Sequence, residues 1–418
     1  MNASKNSLMA KARVQLVDCT LREGDQAPGV AMRPAEKLAI VEALDRAGVT
    51  LADAGMPELS AEERDVLRQA AERAQSMVVG ASVRCRPEAV ALARSCGVGS
   101  VFIICPTSRL HLDKRLGTDL QGLLERMSRA ADQRGDMALD IVCEDASRAE
   151  PADLEVVINH AAELGADRLY LADTVGCRTP AMFSALVRRG LAAADGRLGI
   201  GVHCHNDLGM ATANTVAAIE AGATWPTVCV NGLGERAGNA DLAAVAVACK
   251  VALGRETGTD FQQLAPLSRL VEQASGQMVS ARAPVVGLQA HCHESGIHVD
   301  GLLKDTRSYE VIDPELLGMQ RRIVLGRHSG SAHLRALMSS RHPNRWSQLL
   351  SADDHHAFLQ ALRLRVQRAA GVSERSAFIA LREDRDRLVA SQGVGLEEFD
   401  RIVGDLSAQR LAAAADPP

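Results

Sequence analysis

The sequence predicts an α/β protein: a closed (β/α)8 TIM barrel followed by a mostly helical C-terminal region. A helix–glycine–strand rhythm recurs through the first two thirds of the chain, and it spaces out eight apolar strand candidates before about residue 280. Beyond that point the rhythm stops and helix-like segments take over.

The rhythm reads LDRAGVTLADAG around Gly48, LARSCGVGSVFIIC around Gly97, AAELGADRLYLAD around Gly165 and AIEAGATWPTVCVNG around Gly222. Glycine suits each helix end because the C-cap takes a left-handed backbone at little steric cost. Strands alternating regularly with helices indicate parallel βα units. Strands are expected near residues 14–18, 49–54, 78–84, 100–105, 138–143, 167–172, 199–204 and 227–231. An open, doubly wound sheet uses the same units and is the alternative, because local sequence does not encode closure.

After Ala281 comes a loop-rich stretch dense in histidine, then helical segments at 353–369 and 396–408. The expected organisation is a disordered tail over 1–13, a catalytic barrel over 14–280, a linker subdomain over 281–345 and a helical C-terminal subdomain over 346–418.

With 418 residues, 47% of them hydrophobic, the chain can bury a large core. A net charge of −5 and only 2% aromatics offer neither a phosphate-tracking stripe nor stacking platforms, which argues against nucleic acid as a partner. The ten cysteines are scattered, form no CxxC pair and read as reduced core thiols of a cytoplasmic protein. No apolar run approaches a membrane span, so a soluble protein without membrane contact is expected.

The sharpest chemical signal is His203-Cys204-His205. Side chains two apart on a strand share a face and can converge on one ion, and the end of the seventh strand is where barrel active sites lie. An isolated HxH pair is more readily two buried or surface histidines that hold no metal, so its surroundings decide. The first strand runs into Asp18-Cys19-Thr20-Leu21-Arg22-Glu23-Gly24-Asp25-Gln26, where Glu23 can supply a carboxylate ligand and Arg22 a cation for a substrate oxygen. After the eighth strand, the glycines around Asn239 permit close backbone approach, and its amide offers a neutral oxygen. Two imidazoles, a carboxylate and an amide oxygen suit a catalytic divalent ion with open positions: Mn²⁺ or Mg²⁺ foremost, with Co²⁺ and Zn²⁺ as alternatives.

DCTLREGDQAPGV, ADTVG, HCHNDLGMATAN, NGLGERAGN and HESGIHVDG together resemble the homocitrate synthase and isopropylmalate synthase family, over about residues 14–330. The resemblance implies a pyruvate carboxyltransferase-like TIM barrel and a divalent metal. It also implies acetyl-CoA and a 2-oxo acid as substrates, and a homodimer that lends its C-terminal segment to the neighbouring site. It makes Glu23, His203, His205 and Asn239 the metal set, Arg22 the group that polarises the oxo function and Thr174 the anchor of the substrate's 1-carboxylate. His298, with Tyr309 eleven positions on, resembles the family's general base, and Glu144 is the glutamate of its ED motif. Ser108 and His111 would shape the substrate mouth, and His293-Glu294 follow the family pattern as orienting groups.

HVDGLLKD and LGRHSG look most like nitrogen-fixation-type homocitrate synthases, which points to 2-oxoglutarate. The cations expected for its distal carboxylate are altered, however. Asp140 stands where the lysine-pathway type has arginine, and Tyr170 where the nitrogen-fixation type has its second arginine. Arg84 and Arg86, on one face at the end of the third strand, are the candidates to compensate, and with them phosphonopyruvate becomes an alternative substrate. The aliphatic 2-oxoisovalerate suits these arginines poorly. A metal-dependent carbon–carbon lyase and a non-catalytic descendant are the readings from other classes.

Overall fold

The computed structural model describes residues 13–324 without a break and scattered positions from 326 to 364. All but the last residue of the tail expected over 1–13, and nearly all of the subdomain expected over 346–418, lie outside the described residues.

Eight strands form a closed barrel in chain order: β1 (Val17–Asp18), β2 (Leu51–Asp53), β3 (Val78–Arg84), β4 (Ser100–Pro106), β5 (Ala138–Glu144), β6 (Arg168–Asp173), β7 (Gly199–Cys204) and β8 (Trp225–Val228). Closure is explicit: Val17 lies opposite Thr227 and Asp18 opposite Val228 in a parallel β1–β8 pair, which excludes the open sheet. The intervening helices are α1 (Pro34–Arg46), α2 (Ala61–Arg73), α3 (Pro87–Ser95), α4 (Leu120–Ala131), α5 (Pro151–Glu163), α6 (Pro180–Ala194) and α7 (Ala211–Ala221). The barrel helices end with α8 (Leu242–Val251), and α9 (Leu264–Ser275) packs against α1.

Local chemistry starts and stops these helices. Pro34, Pro87, Pro151 and Pro180 open α1, α3, α5 and α6, where a missing N–H costs nothing. Ser60, Asp119 and Asp241 cap α2, α4 and α8 with side-chain oxygens. Gly48, Gly97, Gly165 and Gly222 all take positive φ, as the helix–glycine–strand rhythm requires.

The barrel interior is plugged. Val17, Leu51, Phe102 and Tyr170 form an apolar cluster, with Val142 and Trp225 packed against it. Tyr170 fits because β7 has no side chain at Gly201, where a Cβ would fall 2.4 Å from the Tyr170 ring. Two residues toward the N-terminal end of the strands, buried Asp140 accepts from Arg168 at 2.8 Å, and Arg168 stacks on Trp225. Asp140 and Tyr170, the two departures from the expected arginines, therefore lie in the floor and not in the mouth.

Past α9 the chain forms β9 (Cys292–His293), α10 (Gly296–Lys304) and β10 (Arg322–Ile323), with β9 and β10 paired in parallel. Among the described residues no helix is long and apolar enough to cross a membrane.

A candidate metal centre at the barrel mouth

Glu23 follows β1, while His203 and His205 come from the end of β7. Barrel closure makes these segments neighbours, and the ligand atoms of all three residues lie within 4.8 Å of one another. His203 Nε2 is 3.2 Å from His205 Nε2, which lies 3.5 Å from Glu23 Oε1. All three side chains are buried. Burial above all, with neighbouring cationic groups, holds both histidines below their ordinary pKa and so in the neutral form that binds metals. Thr227 Oγ1, 2.7 Å from His203 Nδ1, orients that ring with Nε2 facing the cluster.

Asn239 joins from the loop after β8. It bridges His205 through the backbone, donates Nδ2 to the Leu233 carbonyl at 3.1 Å, and leaves its buried Oδ1 without a partner. Gly234 permits this approach: its φ is +155°, and a Cβ there would fall 2.0 Å from Asn239 Nδ2. Neutral imidazoles, a carboxylate and an orphaned amide oxygen suit a divalent ion of the kind expected from the sequence.

Arg22 is largely buried beside the cluster, with Nε donating to Asp53 Oδ2 at 2.7 Å and Nη1 bonded to Glu23. Burial alone lowers its pKa, but Asp53 and Glu23 outweigh that and keep the guanidinium charged. Asp53 thus orients the arginine, and Ser82 holds that aspartate with a 2.7 Å hydrogen bond.

These groups open onto a cavity of about 660 Å³ that also includes Thr174, Glu144, Arg84 and Arg86 in its lining. Thr174 Oγ1 accepts from Asp145 N at 2.9 Å. Glu144 Oε1 pairs with Arg115, while its Oε2 is buried without a partner. Arg84 and Arg86 converge on Glu58 at 3.8 and 3.1 Å and are 62% and 53% exposed, so their charge is shared and wet.

Other expected residues stand outside the cavity lining. Ser108 is buried and caps a short helical turn, accepting from His111 N at 3.3 Å. His111 lies behind the ED pair, 3.9 Å from Glu144 and 3.8 Å from Asp145. His298 on α10 stacks on Tyr309 with ring centroids 4.1 Å apart, and His293 lies 3.6 Å from Glu310. The histidine–tyrosine pair expected from GIH is formed, but neither ring lines this chain's cavity. Arg115, Arg126 and Arg236 do line it and were not singled out from sequence. Arg236 lay inside a quoted motif, whereas Arg115 and Arg126 occupy an ordinary-looking helical stretch.

Fold and site define a (β/α)8 barrel protein with a carboxylate–imidazole cluster at its C-terminal mouth that could hold a metal ion. The chain belongs to the HMGL-like family, whose model matches residues 13–271, and a homocitrate synthase post-HMGL domain-like model matches residues 285–342. It is 40% identical over 337 residues to a homocitrate synthase of Frankia alni, covering 80% of this chain and 95% of that one. It is 42% identical over 323 residues to a 2-phosphonomethylmalate synthase of Streptomyces rubellomurinus, covering 76% and 85%. An (R)-citramalate synthase of Methanocaldococcus jannaschii is 39% identical over 324 residues, covering 77% of this chain and 66% of that one. The chain thus spans about two thirds of the length of the citramalate synthases it matches. Citramalate formation was not among the reactions weighed from sequence. Among solved structures, a hydroxymethylglutaryl-CoA lyase from Pseudomonas aeruginosa shares the barrel at TM-score 0.58 and 19% identity, covering 64% of this chain and 95% of that one.

Proposed function

We propose that the chain condenses acetyl-CoA with an anionic 2-oxo acid, giving a 2-substituted malate and CoA, with 2-oxoglutarate as the oxo acid and homocitrate as the product. The observation that carries this reading is the Glu23–His203–His205 cluster opening onto a cavity rich in guanidinium groups. The homocitrate synthase post-HMGL domain match favours synthase over lyase, because it covers the segment that supplies His298.

A divalent ion held by Glu23, His203, His205 and Asn239 would supply Lewis-acid polarisation of the oxo group. Thr174 would hold the 1-carboxylate. Arg22, kept charged by Asp53 and Glu23, would donate to the ketone oxygen as negative charge develops there. The His298 imidazole would take a methyl proton from acetyl-CoA, and the resulting carbanion would form the new bond to the ketone carbon. Water then cleaves the thioester and releases CoA. Glu144, beside Arg115, would orient the reacting groups.

His298 and Tyr309 stand away from the cavity of their own chain, and this supports a homodimer in which they serve the partner's site. Leu288, Ile297, Leu303 and Val311 in the same segment are exposed, which fits coverage by a second copy. Phosphonopyruvate is the second reading, favoured by the surplus of arginines and by the relative named as a phosphonomethylmalate synthase. Thiol release from acetyl-CoA by metal-loaded protein, tested with 2-oxoglutarate, phosphonopyruvate, pyruvate and 2-oxoisovalerate, decides among these. Release fastest with 2-oxoglutarate is expected; no release with any oxo acid ends the synthase reading.

A further inference from the structure

The cavity's guanidinium groups differ in what already neutralises them. Asp53 and Glu23 hold Arg22, Asp207 holds Arg236, Glu58 is shared by Arg84 and Arg86, and Glu144 pairs with Arg115. Arg126 is the exception. It reaches the cavity from α4, on the outside of the barrel, and is half-buried. Among the described residues it forms no ion pair, and its one hydrogen bond is a long 3.5 Å contact from Nη2 to the Leu116 carbonyl. A partly desolvated guanidinium without a counter-ion favours an anionic ligand.

The cavity directs a ligand toward it. Tyr170 and the Asp140–Arg168 pair close the floor, so a substrate held at Thr174 and the metal set cannot extend down the barrel axis. Ile104, Pro106 and Val142 provide an apolar wall on the same β4–β5 side as Arg115 and Arg126. Arg115 stands on a π-helical turn, Leu112–Leu116, closed by Gly117 in the left-handed conformation; such turns are frequent at functional sites.

We propose that Arg126, with Arg115 beside it, binds the distal carboxylate or phosphonate of the oxo acid and selects a substrate with a second anionic group over a monoanionic one. This shifts the distal clamp from the exposed Arg84–Arg86 pair to the segment after β4. It rests on the condensing-enzyme reading for the identity of the ligand as an oxo acid, but its test does not require turnover.

Protein loaded with Mn²⁺ is titrated calorimetrically, without acetyl-CoA, with 2-oxoglutarate, phosphonopyruvate and pyruvate, comparing wild type with Arg126→Gln and Arg126→Lys. The glutamine variant should lose about 10- to 100-fold in affinity for the first two and none for pyruvate, while the lysine variant keeps part of it. Matching melting curves verify the fold. Unchanged affinity of Arg126→Gln for both larger anions overturns the proposal, as does an equal loss for pyruvate or a wild type that binds neither larger anion. A separate titration with acetyl-CoA covers the other source of anionic groups: a loss confined to acetyl-CoA would assign Arg126 to the CoA phosphates and overturn the oxo-acid role. Failure of wild type to release CoA would sink the synthase reading while leaving these binding results interpretable.

Discussion

Replacing Gly234 by alanine tests the metal centre through a residue that ligates nothing. At φ +155° a Cβ is strained in itself, at a cost on the order of 1–3 kcal/mol. It would also fall 2.0 Å from Asn239 Nδ2 and 3.1 Å from Asn239 Cγ, so the amide must turn away and release its 3.1 Å bond to the Leu233 carbonyl. Leaving that buried amide unpaired costs roughly 1–3 kcal/mol more. Both terms fall on the loop after β8, while Glu23, His203 and His205 keep their positions. Gly234→Ala is therefore expected to retain the barrel by far-UV circular dichroism yet bind Mn²⁺ about 10- to 100-fold more weakly. Calorimetric titration of the apo protein measures this. Wild-type affinity in the variant would remove Asn239 from the ligand set and refute the geometric argument.

Four further outcomes are expected. Saturating Mn²⁺ at about 100 times its dissociation constant should stabilise the apo protein by about 2.7 kcal/mol, and His203→Ala should abolish that shift in a thermal melt. Mixing inactive His203→Ala with inactive His298→Ala should restore thiol release through mixed dimers; continued inactivity despite dimer exchange would place His298 in its own chain's site. Arg168→Met strands buried Asp140 without its cation and should cost about 3–5 kcal/mol by urea unfolding, with much of this recovered on adding Asp140→Asn. Burial, only partly offset by the Thr20 hydrogen bonds, pushes Asp18 up to about 7 from 3.8. The folded state therefore holds a proton that the unfolded chain has released, and this contribution to stability is full below about pH 4 and declines up to about pH 7. Relative to Asp18→Asn, wild type should lose up to about 1.4 kcal/mol per pH unit across that window, and parallel pH curves for the two proteins would discredit the buried acid.

Much of the barrel was legible because local signals and global packing agree. Strands β3 and β7 fall where expected, since each apolar run follows a helix and is bounded by polar residues at both ends. Strand β8 was expected at 227–231 but runs Trp225–Val228, with Pro226 opposite Val202. Proline argues against a strand by local chemistry, and only the neighbouring β7 makes Trp225-Pro226 extended. The sequence motifs placed Glu23, His203, His205 and Asn239 together because each lies at the end of a strand or in the loop that follows one. They could not show that Asp140 and Tyr170 lie deeper in the barrel than Glu144 and Ala172, nor that Arg84 and Arg86 share Glu58. Arg126 was invisible for a similar reason. LQGLLERMSRAA reads as an amphipathic helix with solvated charges, and its nearness to the mouth depends on how α4 docks.

The pairing of β1 with β8 also bears on how the chain matures. Glu23 waits on a segment made early, and Asn239 is translated more than two hundred residues later. No nascent fragment ending before that point can assemble the complete proposed ligand set, so ion capture by that set would report that the ring of strands has shut. During synthesis, metal retention would thus discriminate finished barrels from partial ones.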